Sequence, residues 1–290
     1  MAEAERAASQ TEPTGSVTAA KHSNLVVRIA SAVVLAPVAL AAAYFGGWPF
    51  IVFWAIAAAG VAWEWFSMVG AGGSRRALLA AGAGLLAGLV LGHLGRWDIA
   101  LDVVLLAAVA AALLGPPARR GWLAAGTLYA SAVLFAPMLL RGDPAYGFLA
   151  IVFLFAVVWG TDVFAYFVGR ALGGPKLAPR ISPNKTWSGS IGGGLAAVGI
   201  GGLMGSVLQL SSPAWLALVA LVLSVLAQAG DLFESWIKRR FGAKNSSELI
   251  PGHGGLMDRL DGFVAAGIGA ALIALARSGL DAPARGLMLW

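Results

Sequence analysis

Runs of 17–22 mostly apolar residues recur along this 290-residue chain, and they constrain its fold more than any other feature. A helix of about 20 residues spans the ~30 Å hydrocarbon core of a bilayer. Only 12% of the residues are charged, whereas soluble domains average about 25%. A membrane β-barrel would show alternating segments of about ten residues instead. The sequence therefore predicts an all-α polytopic integral membrane protein.

Nine of these runs are predicted to be transmembrane helices. They cover residues 25–45, 49–69, 77–94, 99–115, 121–140, 146–169, 190–209, 213–232 and 260–277. Residues 1–24 are polar and lack an apolar core, which predicts a disordered cytoplasmic tail. The predicted organisation is therefore this tail, a group of transmembrane helices at 25–145, and a C-terminal region at 146–290 with polar loops at 170–189 and 233–259.

The positions of the lysines and arginines predict the orientation of these spans. With a cytoplasmic N-terminus, sixteen of the twenty basic residues fall in inside segments and four fall outside. Such a bias towards the cytoplasmic side is the usual determinant of topology. Topology and anionic lipid then account for the net charge of +6, which indicates no nucleic-acid partner. The absence of cysteine excludes disulfides, thiolate metal sites and a Cys nucleophile.

Glycines at helical spacing predict close contacts between spans. Gly84, Gly88 and Gly92 make two consecutive GxxxG spacings, and Gly201 with Gly205 makes another. Small residues at this spacing let helices approach closely in lipid. The glycine-rich run at 191–205 follows no predicted strand, so a dinucleotide-binding loop is not indicated.

Acidic residues are concentrated near the ends of the eighth and ninth spans, within "DLFESWIKRRFGAKNSSELIPGHGGLMDRLDG" at 231–262. If the eighth helix continues past the membrane, four polar residues share one face by their i, i+3, i+4 and i+7 spacing. They are Asp231, Glu234, Ser235 and Lys238. Asp258 and Asp261 share a face at the start of the ninth span.

Each of these acidic residues alone would be an ordinary ion-pair partner or helix cap. Several converging carboxylates repel one another unless a cation lies between them. Mg²⁺ is bound by one or two carboxylates together with waters and substrate phosphates. Such a site would serve a metal-assisted phosphoryl or nucleotidyl transfer.

Two acidic residues near the predicted cytoplasmic ends of other spans are further candidates. Asp162 is about two turns from the predicted cytoplasmic end of the sixth span, and an ionisable residue there is a functional candidate. Its alternative is a pair with a buried Lys or Arg. Glu64 ranks lower, because it lies near the end of the second span, from which its side chain is expected to reach the interface.

The loops add candidate phosphate ligands. The stretch "RISPNKTWSG" supplies Ser182, Lys185 and Thr186, whose hydroxyls and cation suit phosphate oxygens. His253, between two glycines, suits a phosphate contact, a proton transfer or a hydrogen bond that orders the loop.

The segment "SWIKRRFGAKNSSELIPGHGGLMDRLD" at 235–261 resembles the signature of the CDP-diacylglycerol synthases, the phosphatidate cytidylyltransferases. The matching positions are Ser235, Lys238, Arg239, Lys244, Pro251, His253, Gly254, Gly255, Asp258, Arg259 and Asp261. The resemblance extends over 160–262 through "DVFAYFVGR", "ISPNKTW" and "GDLFES". Two positions depart from the family pattern, with Asn245 in place of Asp and Ser188 in place of Glu.

The resemblance implies an enzyme that condenses CTP with phosphatidate to give CDP-diacylglycerol and pyrophosphate. Its implied catalytic residues are Asp231, Asp258, Asp261, Lys238 and Arg259. Its implied substrate-binding residues are Asp162, Ser182, Lys185, Thr186, Ser235, Arg239, Lys244, His253, Gly254 and Gly255. Asp231 and Asp258 are the first expected metal ligands, with Glu234 and Asp261 beside them as ligands or supporting groups.

The resemblance also implies Mg²⁺, with K⁺ as a candidate second metal, and CTP, phosphatidate and membrane lipid as partners. A homodimer is a further expectation, as is a site that faces the cytoplasm at a bacterial inner membrane. The principal alternative is a multi-span transporter of an anionic or cation-coupled solute. A transporter would place its polar residues at the midplane between repeated halves, whereas here they lie at one rim and no repeat is evident.

Overall fold

The computed structural model describes residues 33–210, 212–247, 249 and 254–290. The predicted tail, the start of the first span and His253 lie outside these ranges. The described helices are α1 Val33–Phe45, α2 Gly47–Met68, α3 Arg75–His93, α4 Trp97–Leu114, α5 Arg120–Arg141, α6 Gly147–Leu172, α7 Trp187–Val207, α8 Pro213–Arg240, α9 Met257–Ser278 and α10 Pro283–Met288. Two strands, β1 Lys176–Ala178 and β2 Ser182–Thr186, lie between α6 and α7.

Eight of the described helices, α2 to α9, are long and apolar enough to cross a membrane, and α1 is a shorter apolar helix. The prediction of an all-α polytopic membrane protein is therefore confirmed. The predicted helix ends differ from the observed ones mainly at the polar loops. Helix α8 runs to Arg240 rather than ending near 232, and α9 begins at Met257. The orientation of the bundle stays a prediction.

Helix α5 lies at the centre of the bundle and packs against α2, α3, α4, α6 and α9. Thirteen of its residues are buried, so most of the helix faces other helices rather than lipid. Helix α2 contributes the largest fully buried side chains, including Trp54 and Trp65. The Trp65 indole donates to the Trp122 carbonyl at 2.8 Å, which joins α2 to the start of α5.

Glycine allows close helix contacts at the predicted positions. A Cβ atom added at Gly84 would overlap the Ala107 Cβ, so α3 and α4 touch where no side chain fits. A Cβ atom at Gly201 would lie 2.6 Å from the Leu216 carbonyl oxygen of α8. The close-packing interpretation is confirmed at these two glycines.

The polar stretch after α6 forms a short antiparallel hairpin, which the sequence did not predict. Strand β1 pairs with β2 through Lys176 opposite Thr186 and Ala178 opposite Ser182. Thr186 is the N-cap of α7, because its hydroxyl accepts a hydrogen bond from the Gly189 N–H at 3.1 Å. The hairpin is thereby fixed to the end of α7 that faces the polar residues of α8.

Replacing Gly84 with alanine should destabilise the bundle, because the Ala107 Cβ is bonded directly to the backbone of α4 and cannot rotate away. Overpacking of this kind costs about 1–3 kcal/mol. The matched control is Gly82→Ala on the same helix, where an added Cβ atom meets nothing within 4 Å. We expect the melting temperature of the purified protein in detergent to fall for Gly84→Ala and to stay or rise for Gly82→Ala. Equal melting temperatures would contradict the close α3–α4 contact.

Candidate active site

The C-terminal half of α8 carries the predicted polar face. The Ser235 hydroxyl donates to Asp231 Oδ1 at 3.3 Å, one turn away. The Lys238 ammonium lies 3.2 Å from Glu234 Oε1, again one turn away. The face exists because α8 continues to Arg240 without interruption, so residues four apart lie on the same side.

Lys238 also joins α8 to the start of α9. Its ammonium donates to Asp258 Oδ1 at 2.5 Å. The other oxygen, Oδ2, accepts from the Ser246 amide at 2.9 Å, the Ser246 hydroxyl at 2.9 Å and the Gly255 amide at 2.7 Å. Four donors therefore fix the Asp258 carboxylate at the N-terminus of α9, where negative charge is favoured.

Glu234 has unused acceptor capacity. Its side chain is 1% exposed, and neither oxygen has an aligned hydrogen-bond partner among the described residues. The Asp261 carboxylate interacts electrostatically with both Glu234 and Asp231. Lys238 neutralises only part of the charge, because it is shared with Asp258. A further cation would offset the rest. Asp231, Glu234, Lys238, Asp258 and Asp261 are called the acidic cluster below.

The β-hairpin reaches the same cluster through Lys185. Its ammonium forms an ion pair with Asp231 Oδ2, so the end of β2 is tied to α8. Both side chains are about one quarter to one third exposed. The pair is therefore accessible to an anionic ligand that competes for Lys185.

A cavity of about 680 Å³ lies between α6, the hairpin, α7 and α8, beside the acidic cluster. Three predicted substrate-binding residues lie on its wall, namely Asp162, Lys185 and Thr186, and so does the cluster residue Asp231. Gln228 also lines it and donates to the Ser190 carbonyl at 3.3 Å, which joins α8 to α7. The cavity thus combines cations, carboxylates and amide groups in one space.

The two signature glycines pack against carboxylates of the chain itself. Gly254 has a φ of +80°, and a Cβ atom there would lie 2.7 Å from Asp258 Oδ2. A Cβ atom at Gly255 would overlap the Ser246 hydroxyl and lie 2.6 Å from Glu64 Oε1. The space that a side chain would need is therefore occupied by the groups that hold α9.

Four other predicted residues lie outside the cavity wall. Ser182 pairs within the hairpin but does not line the cavity. Arg239 is exposed and donates to the Ala243 carbonyl at 3.3 Å, and Lys244 is exposed on the turn that follows. Arg259 is exposed on α9, one residue from Asp258.

The two residues that depart from the family pattern differ in exposure and contacts. Asn245 is exposed beside Ser246. The Ser188 hydroxyl donates to the Gly173 carbonyl and lies 3.1 Å from the Thr186 hydroxyl, so it joins the base of the hairpin to the end of α6.

The expectation that the Glu64 side chain reaches the membrane interface is wrong. Its side chain is fully buried rather than extended to an interface, and it accepts hydrogen bonds from Ser246, Ser247, Leu256 and Met257. The signal that could have found it was its charge within the apolar run "AWEWFSM". An ionisable residue inside a span is a functional candidate by default. The partners of Glu64, however, are 182 or more residues away, and no local pattern identifies them.

The donor set of the acidic cluster fits a hard cation that is shared with a ligand. Among residues 33–210, 212–247, 249 and 254–290, no three His, Cys, Asp or Glu side chains already converge as a metal site. Mg²⁺ needs only one or two carboxylates when phosphates supply the remaining oxygens. Glu234, with both oxygens lacking aligned partners, and its electrostatic neighbour Asp261 meet that requirement.

Comparisons with known proteins agree with the signature. A sequence profile of the cytidylyltransferase family matches residues 26–276. A phosphatidate cytidylyltransferase of Brucella abortus is 48% identical over 247 residues, which cover 84% of this chain and 91% of the relative. Proteins of the same name from Bacillus subtilis and Rickettsia bellii are 45% and 40% identical, each over 43% of this chain and over 47% and 57% of the relative, respectively.

Proposed function

The chain belongs to the cytidylyltransferase family, and we propose that it is a phosphatidate cytidylyltransferase, an enzyme of phospholipid biosynthesis that joins CTP to phosphatidate. The relative that is 48% identical over 84% of the chain carries this proposal, because its matched region includes most of the bundle. The acidic cluster beside a cation-lined cavity supports it chemically. A cluster at one end of the bundle also favours an enzyme over a transporter with a midplane site.

The proposed reaction is an in-line displacement at phosphorus. A phosphate oxygen of phosphatidate attacks the α-phosphorus of CTP and forms the new P–O bond. The bond from the α-phosphorus to the bridging oxygen breaks, and pyrophosphate leaves with that electron pair. The attacking phosphate is already largely ionised near neutral pH, so positioning and charge neutralisation account for most of the catalysis.

The cavity wall is the proposed binding place for the substrate phosphates. Lys185 lies on this wall and is paired with Asp231, so a phosphate oxygen can replace the carboxylate as its partner. Thr186 lies next to it on the wall. Lys238 lies between Glu234 and Asp258 and offsets the negative charge of both carboxylates.

Cytidylyltransferases generally use a divalent metal ion, and we propose Mg²⁺ here, with K⁺ as a second ion suggested by the family resemblance. Asp231, Glu234 and Asp261 would hold it, together with Asp258 if Lys238 releases Oδ1. Such an ion would neutralise charge on the triphosphate and favour departure of pyrophosphate. Homodimerisation stays a prediction.

The proposed location is the cytoplasmic face of a bacterial inner membrane. This location lets one site meet a lipid phosphate in the leaflet and a nucleotide from solution. The basic residues near the cluster support it by the positive-inside rule, because Lys238, Arg239, Arg240, Lys244 and Arg259 all lie at this end.

Substitution of the cluster should abolish the transfer. Purified protein with labelled CTP, phosphatidate and Mg²⁺ should form lipid-linked CMP and pyrophosphate, and a chelator should stop the reaction. Asp258→Asn should lower the rate by about 100-fold or more. Its NH₂ group would replace either Oδ1, which accepts from Lys238, or Oδ2, which accepts from three donors, and an NH₂ group cannot accept these hydrogen bonds. Asp102→Asn, an exposed change on α4, is the control and should retain the full rate.

Two outcomes of this assay have separate meanings. If the unmodified protein forms no product under any metal condition, the proposed function is wrong. If the protein is active and Asp258→Asn retains its rate, the function stands and the assignment of the acidic cluster is wrong.

The orientation can be tested by labelling single cysteines, because the natural chain contains none. Lys244→Cys lies at the cluster end, and Arg96→Cys lies on the exposed turn between α3 and α4. A membrane-impermeant maleimide should label Arg96→Cys in intact cells and should label Lys244→Cys only after the cells are permeabilised. The reverse pattern would place the cluster on the outer face and refute the proposed location.

A further inference from the structure

Glu64 is a buried carboxylate of α2 whose acceptor positions are all directed at one segment of the chain. Oε1 accepts from the Ser247 hydroxyl at 2.6 Å and from the Leu256 amide at 2.7 Å. Oε2 accepts from the Met257 amide at 2.7 Å and lies 3.1 Å from the Ser246 hydroxyl, whose single proton is shared with Asp258 Oδ2 at 2.9 Å. A carboxylate offers about four acceptor positions, and these four groups face all of them.

These donors are the groups that set the start of α9. The amides of Leu256 and Met257 belong to the cap and first residue of the helix, where N–H groups have no partner within the helix itself. Glu64 supplies those partners from another helix. It therefore fixes both the position and the direction of the first turn of α9, which carries Asp258 and, one turn later, Asp261.

Ser246 connects Glu64 to Asp258 directly. Its hydroxyl lies 3.1 Å from Glu64 Oε2 and 2.9 Å from Asp258 Oδ2, and its amide donates to the same Asp258 oxygen. Gly255 closes the other side, since a Cβ atom there would lie within 2.7 Å of both Glu64 oxygens. The Ser246 hydroxyl lies between the two carboxylates, so displacement of Glu64 would move a group that holds Asp258.

We propose that Glu64 is a positioning residue for the transfer reaction, which holds Ser246, Ser247 and the start of α9 against α2 and thereby aligns Asp258 and Asp261 with α8. The expected effect on kcat rests on the proposed function. The expected effect on the position of α9 does not. Glu64 does not line the substrate cavity. Its effect on the reaction is therefore expected to act through the placement of Asp258 rather than through contact with CTP.

The test substitutes Glu64→Gln, which keeps the side-chain size but turns an NH₂ group towards two of the four donors. We expect kcat to fall by about 10–100-fold, the range seen when a group that orients a ligand is lost, with the KM for CTP within about threefold of its original value. Hydrogen exchange measured by mass spectrometry should become faster in the peptide that contains 255–258 and stay unchanged in α5. Ser67→Ala, an exposed change one turn further along α2, is the matched control for both readouts.

Two serines provide a graded version of the test in case Glu64→Gln does not fold. Ser246→Ala removes the hydroxyl shared by Glu64 and Asp258, whereas Ser247→Ala removes a hydroxyl that reaches Glu64 alone. The proposal predicts the larger loss of kcat for Ser246→Ala. Equal kcat values for the two serine variants, or a Glu64→Gln protein with unchanged kcat and unchanged exchange at 255–258, would overturn it.

The experiment separates this proposal from the proposed function. If the unmodified protein is inactive, the function fails, and faster exchange at 255–258 in Glu64→Gln still supports the structural role of Glu64. If the protein is active and Glu64→Gln lowers only the melting temperature, with unchanged kcat, the residue stabilises the fold without positioning the reaction.

Discussion

The negative charge gathered between α8 and α9 is the constraint on which the rest of this structure depends. Carboxylates at close range repel strongly where water is scarce, so each needs a defined counter-charge or donor. Lys238 supplies one to Glu234 and Asp258, and Lys185 supplies another to Asp231. Each of three chain segments brings one such group into place. The extension of α8 carries Lys238, the hairpin carries Lys185, and the turn before α9 carries Ser246.

Much of this arrangement could be predicted because it is local. Helical spacing put Asp231, Glu234 and Lys238 on one face, and the structure needed only an uninterrupted α8 to realise it. The lengths of the apolar runs predicted the transmembrane helices in the same way, because hydrocarbon thickness fixes helix length. The order of residues in the signature then indicated that Asp258 and Asp261 belong to the same site.

The unpredicted features arise from contacts between distant segments or from weak local preferences. Glu64 meets Ser246 across 182 residues, and no periodicity reports such a contact. The hairpin strands have three and five residues of polar and turn-forming types, so their pairing depends on Lys185 and Thr186 being held by α8 and α7. The resemblance implied that Gly254 and Gly255 bind substrate, whereas the structure places Asp258 and Glu64 against them.

The most direct measurement of the central claim is the coupling between Lys238 and Glu234 in the thermal stability of the detergent-solubilised protein. Lys238→Met should lower the melting temperature markedly, since loss of one partner from a buried ion pair costs about 3–5 kcal/mol. Adding Glu234→Gln to that variant should recover part of the loss, because the buried charge is then removed. If the double variant instead loses the sum of the two single effects, the acidic cluster is not the electrostatic unit described above.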